Sequence, residues 1–119
     1  MPFIGNTGGG GSGLDLVKRY VLFAVAAGTP SIVKASGVNS ITDHGAGDYT
    51  INFDAVTDAN YGVVMNGRAL AGAMNAGWVG MENHDFITRT TTAVRIYTLA
   101  SNVITPTDWP LGSVAIINT

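Results

Sequence analysis

The chain contains no cysteine among its 119 residues, and only 12% of them are charged. The absence of cysteine excludes a disulfide framework and thiolate chemistry. The charged share is about half of that in an average soluble domain. A small domain with so few charges exposes much uncharged surface unless another chain covers it. We therefore expect a second copy or a partner to cover part of the surface. The alternative is a monomer coated with Ser, Thr, Asn and Gly.

Basic clusters and long apolar runs are also missing. The six Lys and Arg residues are scattered apart from the pair Lys18-Arg19, and the formal net charge is -2. This distribution offers no electrostatic footprint for nucleic acid and no polybasic patch for a membrane surface. The longest apolar stretch, residues 20–27, is too short to cross a bilayer, and the N-terminus lacks the pattern of a secretory signal. We expect no nucleic-acid binding, no membrane insertion and no export of this chain by itself.

The ionisable residues form no recognisable catalytic or metal-binding motif. Glu82, His84 and Asp85 fall within four residues and could touch a metal ion, but the spacing fits no zinc site and is typical of a polar turn. Carboxylate pairs of the kind that glycosidases use are better explained as turn residues that bond their own backbone: Asp43 with Asp48 and Asp54 with Asp58. The glycine run at 8–13 lacks the Lys-Ser/Thr of a phosphate loop. We predict no catalytic residue, no cofactor and no metal site.

Residues 1–13, MPFIGNTGGGGSG, differ from the rest of the chain. Five of the six residues 8–13 are glycine, and such a run has too much backbone freedom to fold alone. Phe3 and Ile4 stand ahead of it as two apolar side chains on a flexible tether. This pattern predicts an N-terminal arm, residues 1–13, that docks on a partner chain, followed by a domain at 14–119. The alternative is a disordered tail or a linker.

From residue 17 onward the pattern indicates β-structure. The clearest signal is a hairpin at 38–53, with glycines in its connector and apolar residues alternating along its second half. The segment 17–27 is rich in β-branched and aromatic residues, although its apolar spacing would also suit a helix. The remaining predicted elements are strands at 31–36, 60–65, 77–81, 85–90, 92–99 and 112–118, a turn at 28–30, a turn at Asn66-Gly67 and a loop at 102–111. About eight short strands without a long helix predict an antiparallel β-sandwich or jelly-roll.

The segment 28–66 resembles a module that recurs in bacteriophage tail-fibre and other virion proteins. The matching pieces are Val38-Asn39-Ser40-Ile41, Gly47-Asp48-Tyr49-Thr50-Ile51-Asn52-Phe53 and Asp58-Ala59-Asn60-Tyr61, followed in order by Val94-Arg95-Ile96 and Ser113-Val114-Ala115-Ile116. The opening Met-Pro-Phe-Ile-Gly-Asn is similar to the start of short phage tail and fibre proteins, where it attaches the chain to the particle. The resemblance thus implies that the anchor comprises Phe3, Ile4, Gly5 and Asn6.

The resemblance implies a homotrimeric knob in a virion that assembles in the bacterial cytoplasm. Its first expected role is a tail fibre or tail-associated knob that contacts a host surface glycan or protein. The alternatives are a capsid decoration protein and a carbohydrate-binding module. Exposed tryptophans stack on sugars and anchor protein contacts, so Trp109, with Asp108 beside it in the loop, and Trp78 are the candidate contact residues. Core packing is the alternative for both tryptophans.

Overall fold

The computed structural model describes residues 19–68, 78–82, 89–100 and 106–117, and every regular element in these ranges is a β-strand. The strands are β1 (Arg19–Ala26), β2 (Thr29–Ser36), β3 (Val38–Gly45), β4 (Asp48–Phe53), β5 (Gly62–Arg68), β6 (Trp78–Glu82), β7 (Ala93–Ala100) and β8 (Leu111–Ile117). The predicted all-β class is confirmed, and within the segment 17–27 residues 19–26 form a strand rather than a helix. The predicted arm, and most of the strand predicted at 85–90, lie outside the described residues.

The strands form two four-stranded sheets. The first sheet has the order β2-β1-β8-β5 and the second has the order β3-β4-β7-β6. All neighbouring strands in both sheets run antiparallel. The antiparallel part of the predicted architecture is therefore confirmed.

The buried side chains of both sheets form one core. The rings of Phe23 in β1 and Tyr49 in β4 meet edge to face, with centroids 5.8 Å apart. Successive side chains of a strand point to opposite sides of the sheet, so the buried residues show which positions face the core. Its members are Val21, Phe23, Tyr49, Ile51, Phe53, Val56, Tyr61, Val94, Ile96, Val114 and Ile116. The remaining positions of the central strands point away from the core, as in a β-sandwich.

Two hairpin turns depend on positive φ angles. Gly45 and Gly47 in the β3–β4 connection have φ values of 135° and 63°, which confirms the predicted hairpin. The β1–β2 turn consists of Ala27 and Gly28 (φ 53° and 80°), because Ala26 pairs with residue 29. Two central residues with positive φ define a type I′ hairpin turn. The turn predicted at 28–30 is therefore wrong in position, since residues 29 and 30 belong to β2, an edge strand that tolerates proline.

The dipeptide Asn66-Gly67 does not end a strand, contrary to the prediction. β5 continues through it to Arg68 and pairs with β8 along its whole length. Gly67 is needed for another reason: a Cβ there would overlap the ring of Trp109. Gly112, opposite Gly67 in β8, also packs under an aromatic ring, because its Cβ would lie 2.6 Å from Cζ of Phe23.

Arg89 ties the connection between β4 and β5 to β6. Its guanidinium donates to the carbonyls of Ala59 (3.0 Å) and Tyr61 (2.6 Å) and forms a two-pronged ion pair with Glu82. The same group lies 4.3 Å from the centroid of the Tyr61 ring, whose hydroxyl donates to the carbonyl of Thr90 at 2.9 Å. Burial raises the pKa of Tyr61 to about 12. This cluster closes one end of the core.

Candidate interaction surface

Trp109 is not an exposed contact residue. Its side chain is 1% exposed, and its Nε1 donates to the carbonyl of Leu99 at 3.2 Å. The ring packs between the sheets, against Gly67 of β5 and Gly80 of β6. Trp109 is therefore a core residue, and the prediction that it contacts a receptor is wrong.

Asp108 holds the segment 106–110 against the β3–β4 hairpin. Its Oδ1 accepts the backbone N–H of Gly47 at 2.8 Å and the hydroxyl of Tyr49. Burial, together with the adjacent carboxylate, raises the pKa of Tyr49 above its ordinary value. Next to it, Thr98 Oγ1 donates to the carbonyl of Thr107 at 2.6 Å, and the N–H of Thr107 donates to the carbonyl of Thr98 at 2.7 Å. The Asp108 carboxylate thus has a structural role in this chain.

The other residues singled out in the sequence fall partly outside the described ranges. Six of them lie outside these ranges, and the predictions made for them are untested: Phe3, Ile4, Gly5, Asn6, His84 and Asp85. The backbone of Trp78 begins β6, but its side chain is not among those described. Glu82 is paired with Arg89 at 2.6 Å. Among the described residues, no group of three His, Asp or Glu side chains is arranged to hold a metal ion.

The outward side of the first sheet is apolar at its centre. We call this surface the apolar face. Cross-strand pairing places Tyr20 of β1, Ala115 of β8 and Val64 of β5 in one row. In the neighbouring row, Leu22 lies opposite Ser113 and Ser113 lies opposite Asn66. The side chain of Val64 is 58% exposed. The outward positions of β1, β8 and the first five residues of β5 are Tyr20, Leu22, Ala24, Ala26, Leu111, Ser113, Ala115, Ile117, Gly62, Val64 and Asn66.

None of these outward residues carries a charge. The basic residues of this sheet stand at its margin. Lys34 lies opposite Leu22 on the edge strand β2, and Arg68 is the last residue of β5. Arg19 is the first residue of β1, and its guanidinium donates to the carbonyls of Asp54 and Ala55. An uncharged centre with charges at the rim is the arrangement found in protein–protein interfaces.

A shallow depression of about 220 Å³ lies within the apolar face. Its floor is the backbone of Gly67 and Gly112, a directly paired position of β5 and β8. The surrounding side chains are Leu22, Leu111, Asn66 and Ser113. Gly67 and Gly112 are inward positions of their strands, so only their backbone reaches the outer side of the sheet at the depression.

The outward side of the second sheet, which we call the polar face, is different. Asp48 and Arg95 lie there as a two-pronged ion pair with both N–O distances at 2.9 Å. The amide nitrogen of Asn52 donates to Ser40 Oγ and Thr42 Oγ1, both at 3.0 Å. These groups are hydrogen-bonded to one another. Polar groups of this kind are costly to cover, so the polar face suits contact with solvent and the apolar face suits contact with protein.

No protein-family model, curated protein or solved structure matches the chain. Within the described ranges, no helix is long and apolar enough to cross a membrane.

Proposed function

We propose that the chain is a structural protein of a bacteriophage particle, a tail fibre or tail-associated knob that works as a homotrimer. The observation that supports this most strongly is the apolar face: a rigid sheet surface with no charge at its centre, on a chain with 12% charged residues. Such a surface is suited to permanent assembly rather than to a free monomer. The motifs at 38–41, 47–53 and 58–61 support a virion module in particular.

In this proposal residues 1–13 attach the knob to the particle. Phe3 and Ile4 supply apolar contacts, and the glycine segment supplies main-chain hydrogen bonds to the partner. Ordering a flexible segment costs about 1–2 kcal/mol per residue. Three arms on one trimer offset this cost, because binding of the first arm raises the effective concentration of the other two. The assembled knob then holds its outer loops toward a glycan or protein of the host surface.

The decisive experiment is to count this chain in purified particles of the phage that encodes it, by quantitative mass spectrometry against the major capsid protein. A tail fibre or tail knob is expected in tens of copies or fewer. Hundreds of copies would instead identify a capsid decoration protein, and absence from the particles would overturn the virion proposal. In both virion outcomes the protein is made in the bacterial cytoplasm.

The anchoring role is tested by a matched pair of variants in the arm. The double substitution Phe3→Ala/Ile4→Ala removes the two apolar side chains, whereas Thr7→Ala changes a nearby polar one. We expect the double variant to fold normally and to be lost from particles, with Thr7→Ala incorporated like the wild type. Full incorporation of a chain that lacks residues 1–13 would contradict the anchor.

A further inference from the structure

We propose that the apolar face is the surface through which one copy of this chain binds a second copy. This inference rests on the proposed function, since it assigns a surface to the self-association that the trimer requires. The first argument is charge. Val64, Ala115 and Leu22 occupy the middle of the face. The basic residues of the sheet stand at strand ends or on the edge strand: Arg19, Lys34 and Arg68.

A second copy of the chain offers the uncharged surface that a partner of the apolar face must have. An uncharged sheet centre needs an uncharged surface opposite it, because burying an unpaired charge is strongly unfavourable. Against the polar face of another molecule, the contact would remove the Asp48–Arg95 ion pair from water without giving it a new partner, which is unfavourable. The apolar face of another copy brings no charged group into the centre of the contact.

The size of the face favours a closed ring over a simple pair. The apolar face spans three strands about 4.8 Å apart and about seven residues long, which at about 3.3 Å per residue gives a flat area of roughly 330 Å². Stable interfaces bury about 800 Å² on each partner, so two such faces alone fall short of a stable dimer. In a ring of three copies every subunit contacts two neighbours, so surface beside the apolar face is buried as well. The edge strand β2 adjoins the face, with Lys34 opposite the outward residue Leu22.

The test places a charge on the apolar face of the full chain and follows its mass by analytical ultracentrifugation. Val64→Lys changes a side chain that is already 58% exposed, so the subunit keeps its fold. The matched control is Met81→Lys, which changes a side chain that is 38% exposed and lies opposite Tyr97 on the polar side. We expect Val64→Lys to raise the dissociation constant of the oligomer about 100-fold or more, and Met81→Lys to leave it unchanged.

A second pair of variants repeats the test at the centre of each sheet. Ala115→Glu places a carboxylate between Tyr20 and Val64, and Thr50→Glu places one between Thr42 and Arg95. Only Ala115→Glu is expected to dissociate the oligomer. Far-ultraviolet circular dichroism and thermal unfolding of each variant show whether the subunit is folded.

The outcomes separate this inference from the proposed function. The inference is overturned if the oligomer persists in both Val64→Lys and Ala115→Glu. It is also overturned if the wild type is monomeric at about 100 µM, a concentration well above the micromolar range of weak complexes. Presence in purified particles supports the virion role in either case. A wild type that forms dimers, dissociated by Val64→Lys, supports the self-binding face and overturns the trimer. A self-associating chain that is absent from particles overturns the virion role alone.

Discussion

The indole ring of Trp109 lies so close to the backbone of Gly67 that a Cβ atom at that position would overlap it. On the other side of the ring, a Cβ on Gly80 would lie 2.9 Å from Cη2 of Trp109. Gly67 belongs to the first sheet and Gly80 to the second. One tryptophan from the segment before β8 therefore fills the space between the two sheets at the side where β5 and β6 run.

This packing predicts that Gly67→Ala destabilises the domain. The added methyl group forces the Trp109 ring or the β5 backbone to move, and overpacking of this kind costs about 1–3 kcal/mol in the free energy of unfolding. Urea unfolding followed by tryptophan fluorescence measures the change. The control is Gly62→Ala in the same strand, where the nearest atom is Cβ of Ile117 at 3.4 Å. Equal losses in the two variants would contradict the role of the ring contact.

The β1–β2 turn predicts a stabilising substitution. Ala27 has a φ of 53°, which costs an alanine roughly 1 kcal/mol because its Cβ crowds the following carbonyl. Asparagine tolerates this region and precedes glycine in the most favoured type I′ turns. We expect Ala27→Asn to raise the free energy of unfolding by about 0.5–1 kcal/mol. Ala26→Asn, one residue earlier in β1, should bring no gain, and a loss in Ala27→Asn would argue against this turn.

Stability should decrease in alkaline solution because of two buried tyrosines. Burial raises the pKa of Tyr61 to about 12 and also raises the pKa of Tyr49. In the unfolded chain both hydroxyls ionise near pH 10. The unfolded state thus loses protons first, so the stabilisation is complete below about pH 10 and is lost as the pH rises above it. The expected slope is about 1.4 kcal/mol per pH unit for each tyrosine.

Urea unfolding at pH 8, 9, 10 and 11 measures this slope. Tyr61→Phe keeps the ring under Arg89 but has no proton to lose. Its stability at neutral pH is lower, because the hydrogen bond to the carbonyl of Thr90 is missing. Above pH 10, the free energy of unfolding of this variant should decrease less steeply than that of the wild type, by about 1.4 kcal/mol per pH unit. A wild-type stability that is flat between pH 9 and 11 would contradict the assignment.

The self-association proposed for the apolar face should resist salt. Contacts without charges at their centre are little screened, and the basic residues at the rim repel each other less as the ionic strength rises. We expect the dissociation constant to remain the same or to fall between about 50 mM and 1 M NaCl, over which the Debye length shrinks to about 3 Å. Sedimentation equilibrium at the two concentrations provides the comparison. Dissociation at high salt would instead indicate an interface made of ion pairs.

The hairpin at 38–53 was predictable because every local signal agrees there. Tyr49, Ile51 and Phe53 alternate with polar residues, and the connector contains glycines that adopt positive φ. Local propensity and tertiary burial point to the same structure, so the sequence pattern alone is sufficient. The strand β1 was harder to assign, because it is apolar on both sides and alternation has no polar partner to reveal it.

The positions of Gly67 and Trp109 could not be read from the sequence. A glycine after an asparagine predicts a turn when only neighbours in the chain are considered. Here the glycine is required by a ring from a segment more than 40 residues away, between Pro106 and β8. The same distance explains why Trp109, beside a proline, was a candidate for an exposed loop. Contacts of high sequence separation leave no periodic trace in either partner.

The composition predicts that the chain has a surface of low charge, but it does not predict where on the fold that surface lies. The low charge of the composition predicts that some surface is covered. Leu22 and Ala24 face outward and Val21 and Phe23 face inward, yet all four are apolar, so the inner and outer sides of β1 look alike in the sequence. Only the pairing of β1 with β8 and of β8 with β5 shows that the outward apolar residues join into one continuous patch.

Gly37, with a φ of 66°, is the single residue between β2 of the first sheet and β3 of the second. Its carbonyl accepts the N–H of Asp54 at 2.8 Å, which fastens this corner to the end of β4. A force applied to one sheet therefore reaches the other directly through the covalent main chain, because no loop lies between the two strands. Tension applied across the two sheets would be transmitted at this corner through the main chain itself.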